Sequence, residues 1–209
     1  MKKESRYDGA IVHGFVLAFG LILPLGVQNV FVFNQGAVQG RLAKALPAVI
    51  TASICDTFLI LLAVLGVSVI VWESYWFKTV LMGVGILFLI YMGWITWKSK
   101  PNRNGESAEI FTPKKQMAFA DSVSLLNPHA IMDTVGVIGT SSLRYAGMEK
   151  IAFTAACIVV SWLWFTGLAL VGRITGHLDQ SGRLMVVLNK ILAIVMWGTA
   201  IYLGFSLTE

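Results

Sequence analysis

The chain has 209 residues, of which 56% are hydrophobic and only 13% are charged. Soluble domains carry about 25% charged residues, so this composition excludes an ordinary water-soluble fold and predicts a membrane protein. The net charge of +5 does not indicate a nucleic-acid partner, because basic residues in short loops between apolar stretches usually set membrane topology.

Six apolar stretches long enough to span a membrane follow one another. They cover roughly residues 10–34, 46–71, 76–97, 118–141, 150–172 and 184–206. The sequence therefore predicts an all-α membrane protein with a first three-helix repeat at 1–97, a polar linker at 98–117 and a second three-helix repeat at 118–209. Because three is an odd number, the second repeat must enter the membrane from the opposite face, which predicts two inverted repeats.

Lysine and arginine counts predict the orientation of these spans. Nine of these residues fall on the side of the linker and six on the other side. The richer side is normally cytoplasmic, so we expect the linker inside and both termini outside.

Two apolar stretches in matching positions of the two halves are each interrupted by a proline. Leu21–Gly36 reads LILPLGVQNVFVFNQG and contains Pro24, while Leu125–Gly139 reads LLNPHAIMDTVGVIG and contains Pro128. A proline inside a helix removes a hydrogen-bond donor and breaks or kinks the helix. The pattern predicts that transmembrane helices 1 and 4 are broken, and such paired breaks typically mark the substrate site of a transporter.

Aligning the two prolines places Asn29 opposite Asp133. The carbonyl groups four residues before the prolines belong to Gly20 and Ser124, and we expect both to lose their helical partner. A freed backbone group is tolerated at membrane depth only where protein or a water-filled cavity satisfies it.

Only two of the eleven acidic residues, Asp56 and Asp133, lie well inside the apolar stretches. An aspartate at mid-bilayer costs about 2.5–3.5 kcal/mol, so each is a candidate functional residue. A structural carboxyl that is paired with a lysine or kept protonated is the alternative. Asp121 lies near the end of its span and is expected to be a helix cap or an interfacial residue.

The internal repeat extends beyond the prolines. Cys55–Gly66 matches Val160–Gly172 with a slip of one residue, which places Asp56 opposite Ser161 or Trp162. We therefore expect a site that is pseudo-symmetric in its backbone and asymmetric in its charge.

Further polar or aromatic residues inside the spans have two interpretations each. Lys190 either extends its ammonium to the interface or pairs with an aspartate of the site. His129 either relays protons or packs beside the second break, and Trp164 either packs in the core or acts in gating. Cys55 and Cys157 are expected to be buried as small apolar residues, and no metal-ligand spacing or cofactor motif is present.

The predicted site combines carboxylates and amides with the amino ends of broken helices. The candidate substrate-binding residues are Pro24, Gly26, Gln28, Asn29, Asp56, Asn127, Pro128 and Asp133, and the candidates for coupling or gating are His129, Lys190 and Trp164. Carboxylates attract a cation and helix amino ends attract an anion, which favours an amino acid with a cationic side chain. Because apolar surroundings disfavour a charged carboxylate, protons could share the aspartates with the substrate.

Five motifs in order carry a resemblance to a known family. They are LPLGVQNVFVFNQG at Leu23–Gly36, SICDTFLILLAVLG at Ser53–Gly66, LLNPHAIMDTVGVIG at Leu125–Gly139, SWLWFTGLAL at Ser161–Leu170 and LNKILAIVMWGTAI at Leu188–Ile201. On these motifs the chain resembles the LysE family of amino-acid exporters, nearest the lysine and arginine exporter branch. The resemblance implies a multi-pass protein of the bacterial cytoplasmic membrane that exports a basic amino acid, driven by the proton gradient or the membrane potential.

The chain departs from the family pattern at two positions. Val27 stands where the family usually has a second proline, which predicts a milder first break, and Lys190 stands where the family is usually apolar. Lys190 favours the alternative of a neutral amino acid or another small metabolite as the substrate. A third alternative, a membrane thiol oxidoreductase, rests on Cys55 and Cys157, neither of which adjoins a proline break.

The expected partners are the amino-acid substrate, protons and the lipid bilayer. No enzymatic activity and no nucleic-acid partner are expected, and association with further copies of the chain stays open.

Overall fold

The computed structural model of the protein describes residues 2–23, 26–66, 75–98, 111–125, 131, 134–178 and 183–206. Every regular element within these ranges is helical, which confirms the all-α prediction. The helices are α1 (Lys2–Ile22), α2 (Val27–Val38), α3 (Leu42–Val64), α4 (Tyr75–Lys98), α5 (Pro113–Leu125), α6 (Met148–Leu178) and α7 (Arg183–Ser206). Between α5 and α6, a π-helical segment, Thr134–Gly139, leads into the short helix Thr140–Ser142.

Each of the six predicted apolar stretches overlaps at least one of these helices, and the first and fourth stretches each contain more than one element. By length and composition, two described helices, α3 and α6, are long and apolar enough to cross a membrane. The pair α1 and α2 makes a third candidate if it counts as one bent span, and α4 contains a shorter apolar helix, Gly83–Lys98. The chain is therefore a membrane protein by its apolar helices, while the count of six spans stays a prediction.

The predicted linker 98–117 is partly helical. Helix α5 begins at Pro113 and includes the polar residues Lys114, Lys115 and Gln116. Proline is well suited to the first position of a helix, because its missing N–H would have no helical partner there. Residues 99–110 of the linker lie outside the described residues.

Helices of the first half pack mainly against helices of the second half. Both parts of the first bent stretch, α1 and α2, pack against α6, whereas α5 and the π-helical segment pack against α3. Helix α3 also packs against α6, and α4 packs against α7. Each interrupted stretch of one half therefore lies on the second helix of the other half.

Close contact between α2 and α6 depends on glycines. A Cβ atom on Gly36 would collide with the backbone of Ala169, and one on Gly172 would collide with the backbone of Phe33. Gly176 would likewise meet the backbone of Ala37. Small residues let helix backbones approach closely in membranes, where dispersion and packing drive association. The contact therefore fixes the second half of the first bent stretch against α6.

Buried glutamine side chains form hydrogen bonds at one end of the bundle, where α2, α3 and α5 meet. The Nε2 atom of Gln39 donates to Gln35 Oε1 and to the carbonyl of Phe111, both at 3.2 Å. The Nε2 atom of Gln116 donates to the carbonyls of Lys44 and Phe111, both at 2.9 Å. These bonds connect Phe111 and Gln116, near the carboxyl end of the predicted linker, to the first half of the chain.

Near its amino end, α1 contacts α6 and the turn before α6 through a hydrogen bond, aromatic ring contacts and an ion pair. His13 Nδ1 lies 2.8 Å from the hydroxyl of Tyr145, and both rings pack against Phe153. Arg6 forms an exposed ion pair with Glu149, with 3.1 Å between Arg6 Nε and Glu149 Oε1. The two halves are thus in polar contact here as well.

We expect Gly172→Ala to destabilise the protein by about 1–3 kcal/mol, because the added methyl group must displace the backbone of α2. Gly167→Ala is the matched control in the same helix, since a Cβ atom there meets no heavy atom within 4 Å. Thermal unfolding of both variants in detergent measures the difference. Equal melting temperatures would contradict the close contact between α2 and α6.

Candidate functional site

The first break lies between Ile22 at the end of α1 and Val27 at the start of α2, and the two helices are bent by 80°. Gly26 precedes α2 with an extended backbone, at φ −79° and ψ 174°. The bend is sharp, while the expectation that Val27 makes it milder than is usual in the family stays a prediction. Gly26 therefore ends the break on the side of α2 with an extended backbone.

Asn29 closes the break from the side of α2. Its Nδ2 atom donates to the carbonyl of Ile22 at 2.7 Å. The sequence predicts a freed carbonyl at Gly20, four residues before the proline. The carbonyl that receives the side chain belongs to Ile22 instead, because α1 ends there and its last carbonyl groups have no helical partner.

Trp164 of α6 supports Asn29 from the opposite side. Its indole Nε1 donates to Asn29 Oδ1 at 3.2 Å, so both ends of the Asn29 amide are engaged. The indole ring also meets Phe19 of α1 edge-on, with 5.6 Å between the ring centroids. Trp164 therefore contacts residues on both sides of the break.

Asp56 of α3 lies beside the same group of residues. Its Oδ2 atom accepts a hydrogen bond of 2.8 Å from Ser161 Oγ on α6, and the side chain of Gln28 on α2 also hydrogen-bonds to the carboxylate. Gln28 Nε2 donates in addition to the carbonyl of Ala52, at 3.4 Å. The structure thus brings Gln28, Asn29, Asp56 and Trp164 together where α2, α3 and α6 meet, and we call these four residues the polar cluster.

Five of the predicted site residues lie outside the described residues. They are Pro24, Asn127, Pro128, His129 and Asp133. Described residues that flank the two breaks nevertheless pack together. Val27 and Val123 share one buried apolar cluster, and Ile22 packs against another that contains Ile138. Residues on each side of the first break therefore pack in the same apolar clusters as residues that flank the second break.

Lys190 lies away from the polar cluster. Its side chain is exposed on α7, and its Nζ atom lies 5.6 Å from the ring centroid of Trp97 on α4. A cation over an indole face is a favourable contact in itself. This position favours the interpretation that the ammonium extends towards an interface over the salt bridge to a site aspartate.

Several polar contacts could not be predicted from the sequence. The internal repeat points to Ser161 only as a position opposite Asp56, and nothing indicates the hydrogen bond from Trp162 Nε1 to Thr57 Oγ1, at 3.1 Å. Asp121 is exposed in the interior of α5 and accepts a hydrogen bond from Cys55 Sγ at 3.4 Å, so of its two expected roles the helix cap is wrong and the interfacial residue stays a prediction.

Both cysteines are free and buried, which confirms their predicted burial. Cys55 contacts α5 through Asp121, whereas Cys157 Sγ lies 3.5 Å from the carbonyl of Gly14 on α1. The two thiols thus have separate surroundings.

The model of the LysE type translocator family matches residues 19–207. The chain belongs to this family. The match includes every residue of the polar cluster and both interrupted stretches. It therefore establishes a membrane transporter family for the helical architecture described above.

Curated relatives agree with the family assignment. The "Putative amino-acid transporter YisU" of Bacillus subtilis (strain 168) is 64% identical over 198 residues, which cover 95% of this chain and 90% of that protein. The arginine exporter protein ArgO of Pectobacterium carotovorum is 31% identical over 197 residues, covering 92% of this chain and 95% of ArgO. ArgO of Salmonella typhimurium (strain LT2) is 32% identical over 195 residues, with 91% of each chain covered. No solved structure gives a significant match.

We expect Trp164→Phe to lower amino-acid transport by about three- to tenfold, the equivalent of one neutral hydrogen bond. The phenyl ring preserves the apolar contact with Phe19 but cannot donate to Asn29. Trp162→Phe is the control, because it removes an indole donor from the same helix at a bond to Thr57 outside the polar cluster. Initial transport rates, normalised to the amount of protein in the membrane, compare the two variants. A larger loss in Trp162→Phe would contradict a role of the polar cluster.

Proposed function

We propose that the protein exports a basic amino acid, arginine or lysine or a related compound, across the bacterial cytoplasmic membrane. The observation that carries this proposal is the Asp56 carboxylate at the meeting point of α2, α3 and α6, beside the first helix break. Apolar helices surround it, and two polar side chains orient it. A carboxylate held at membrane depth is suited to receive a guanidinium or an ammonium group.

The amino end of α2 supplies the complementary charge. This helix begins at Val27, directly after the break, and its first N–H groups have no partner within the helix. The positive end of the helix dipole favours an anion, such as the α-carboxylate of an amino acid. Gln28 and Asn29 lie in the same turn and would align the substrate between this helix end and Asp56.

The second break would complete the site. We propose that Asn127, Pro128 and Asp133 contribute to the same substrate site as Pro24 and Gly26. The packing of Val27 with Val123 supports this arrangement, because these residues flank the two breaks. His129 would lie beside the second break as a candidate proton relay.

The packing of helices of one half against helices of the other supports six spans in two inverted repeats, and the lysine and arginine counts favour a linker on the cytoplasmic side. Residues 1–97 and 118–209 would form the repeats. Alternating access would then open the bundle first at one end, near Gln39 and Gln116, and then at the other end, near His13 and Tyr145. Trp164 is the candidate gating residue, because it contacts both sides of the first break.

The driving force would be the proton gradient or the membrane potential. A proton could take the place of the cationic substrate on Asp56 or Asp133, because apolar surroundings disfavour an uncompensated carboxylate. Export of a neutral amino acid was favoured only by Lys190. The position of its ammonium over Trp97 leaves the negative charge of Asp56 available to a cationic substrate.

We expect Asp56→Asn to lower the efflux of preloaded arginine or lysine by about tenfold or more, because a charge-assisted hydrogen bond contributes roughly 1.5–3 kcal/mol. Asp8→Asn makes the same chemical change at an exposed position near the start of α1 and is expected to transport normally. Efflux from preloaded cells, with membrane protein quantified in parallel, tests the prediction. Normal efflux in Asp56→Asn would remove this carboxylate from the mechanism.

We expect Lys190→Leu to leave the substrate range unchanged, because its charge lies over Trp97 and not at the polar cluster. Lys98→Leu is the matched control, since Lys98 Nζ lies 4.5 Å from the Trp94 ring centroid on the same α4 helix. Growth with toxic analogues of arginine and lysine, and with dipeptides, reports the range. A gain of neutral substrates in Lys190→Leu alone would place this lysine at the site.

A further inference from the structure

Ser161 uses its hydroxyl differently from most serines and threonines inside the described helices, although Thr96 also donates across a helix contact, to Met196 Sδ at 3.9 Å. A serine or threonine within a helix commonly donates to the carbonyl four residues earlier. Among the described residues, this pattern is followed by Thr57, Ser122, Ser124, Thr140, Thr154 and Thr175. Ser161 instead donates across the helix contact to Asp56. Its hydroxyl therefore serves a neighbouring helix.

The contact between Ser161 and Asp56 is short and protected. The oxygen atoms are 2.8 Å apart, and only 2% of Ser161 is exposed. The next residue on each helix repeats the contact, since Trp162 donates to Thr57. Two consecutive cross-helix bonds therefore join α3 and α6 here, and the Ser161 hydroxyl is used between the helices and not within its own helix.

The two bonded residues occupy equivalent places in the two halves. Both cross-helix bonds join residues 105 positions apart, which is the offset at the start of the alignment of Cys55–Gly66 with Val160–Gly172, before its slip of one residue. In one half this place holds an acid, and in the other half it holds a hydroxyl donor. The asymmetry gives the carboxylate a fixed partner from the opposite half without neutralising its charge.

We propose that Ser161 is a positioning residue of the substrate site, whose hydroxyl holds the Asp56 carboxylate in the orientation that receives the cationic group of the transported molecule. This proposal rests on the proposed function, in which Asp56 contacts the substrate. A carboxylate accepts about four hydrogen bonds, so Ser161 and Gln28 leave acceptor capacity for an ammonium or guanidinium. Without the hydroxyl, the carboxylate can rotate away from the substrate.

The experiment measures substrate uptake by inside-out membrane vesicles that contain the full-length protein. Radiolabelled arginine, lysine and leucine are tested under an imposed membrane potential and pH gradient. We expect Ser161→Ala to raise KM about tenfold, while the maximal rate changes less than about twofold, because the loss falls on substrate binding. Ser161→Thr retains the hydroxyl and is expected to restore KM. Ser161→Cys, a weaker donor of similar size, is expected to give an intermediate value.

Two controls separate positioning from a structural role. Ser142→Ala removes a buried hydroxyl that donates only to a carbonyl of its own segment, Gly139, and is expected to leave KM unchanged. In the Asp56→Asn background, Ser161→Ala is expected to add no further loss, because its target carboxylate is already absent. If Ser161→Ala fails to reach the membrane, the Ser161→Cys and Ser161→Thr values decide the question.

The outcomes distinguish the positioning role from the proposed function. An unchanged KM in Ser161→Ala and Ser161→Cys, together with lost transport in Asp56→Asn, would overturn the positioning role and leave the proposed function standing. Uptake of leucine alone by the wild type would overturn the basic substrate. The KM of the Ser161 variants would then be measured for leucine, whose α-ammonium group is the cation that Asp56 could receive. Normal transport in Asp56→Asn would overturn both proposals.

Discussion

Polar groups inside an apolar helical bundle must find their partners within the protein, and the rest of this structure depends on that constraint. A broken helix leaves backbone carbonyl groups without partners, and each unsatisfied group costs several kcal/mol in hydrocarbon. Here the carbonyl of Ile22 receives the amide of Asn29, which in turn receives the indole of Trp164. The sharp bend between α1 and α2 is stable because side chains from α2 and α6 complete it.

Helix α6 is the element that supports this arrangement. Its small residues Gly172 and Gly176 admit the backbone of α2, and a few turns earlier Ser161 and Trp164 donate to Asp56 and Asn29. Close packing and polar contact therefore come from different parts of one helix. The family relationship to amino-acid exporters fits a site built in this way, because an acid and a helix amino end next to each other complement the two charges of an amino acid.

The quality of the sequence-based predictions varied with the distance over which each interaction acts. The first break was predictable from Pro24, since proline acts on its own helix, and the burial of Cys55 followed from its apolar neighbours. Asp121 is not a helix cap, because α5 begins at Pro113 and continues to Leu125, and its position near the end of an apolar stretch could not reveal these helix bounds. The angle of the first break could not be read from the sequence, and the effect of Val27 on it stays a prediction.

The sequence by itself determined that this chain is a helical membrane protein, that its first apolar stretch is interrupted and that Asp56 is an acid among apolar residues. These properties follow from composition and from local pattern. Only the tertiary structure decided that Asp56 meets Ser161, that Asn29 meets Trp164 and that Lys190 lies over Trp97. Each of those partners is far away in the chain, and the contact depends on which face each helix turns towards its neighbours.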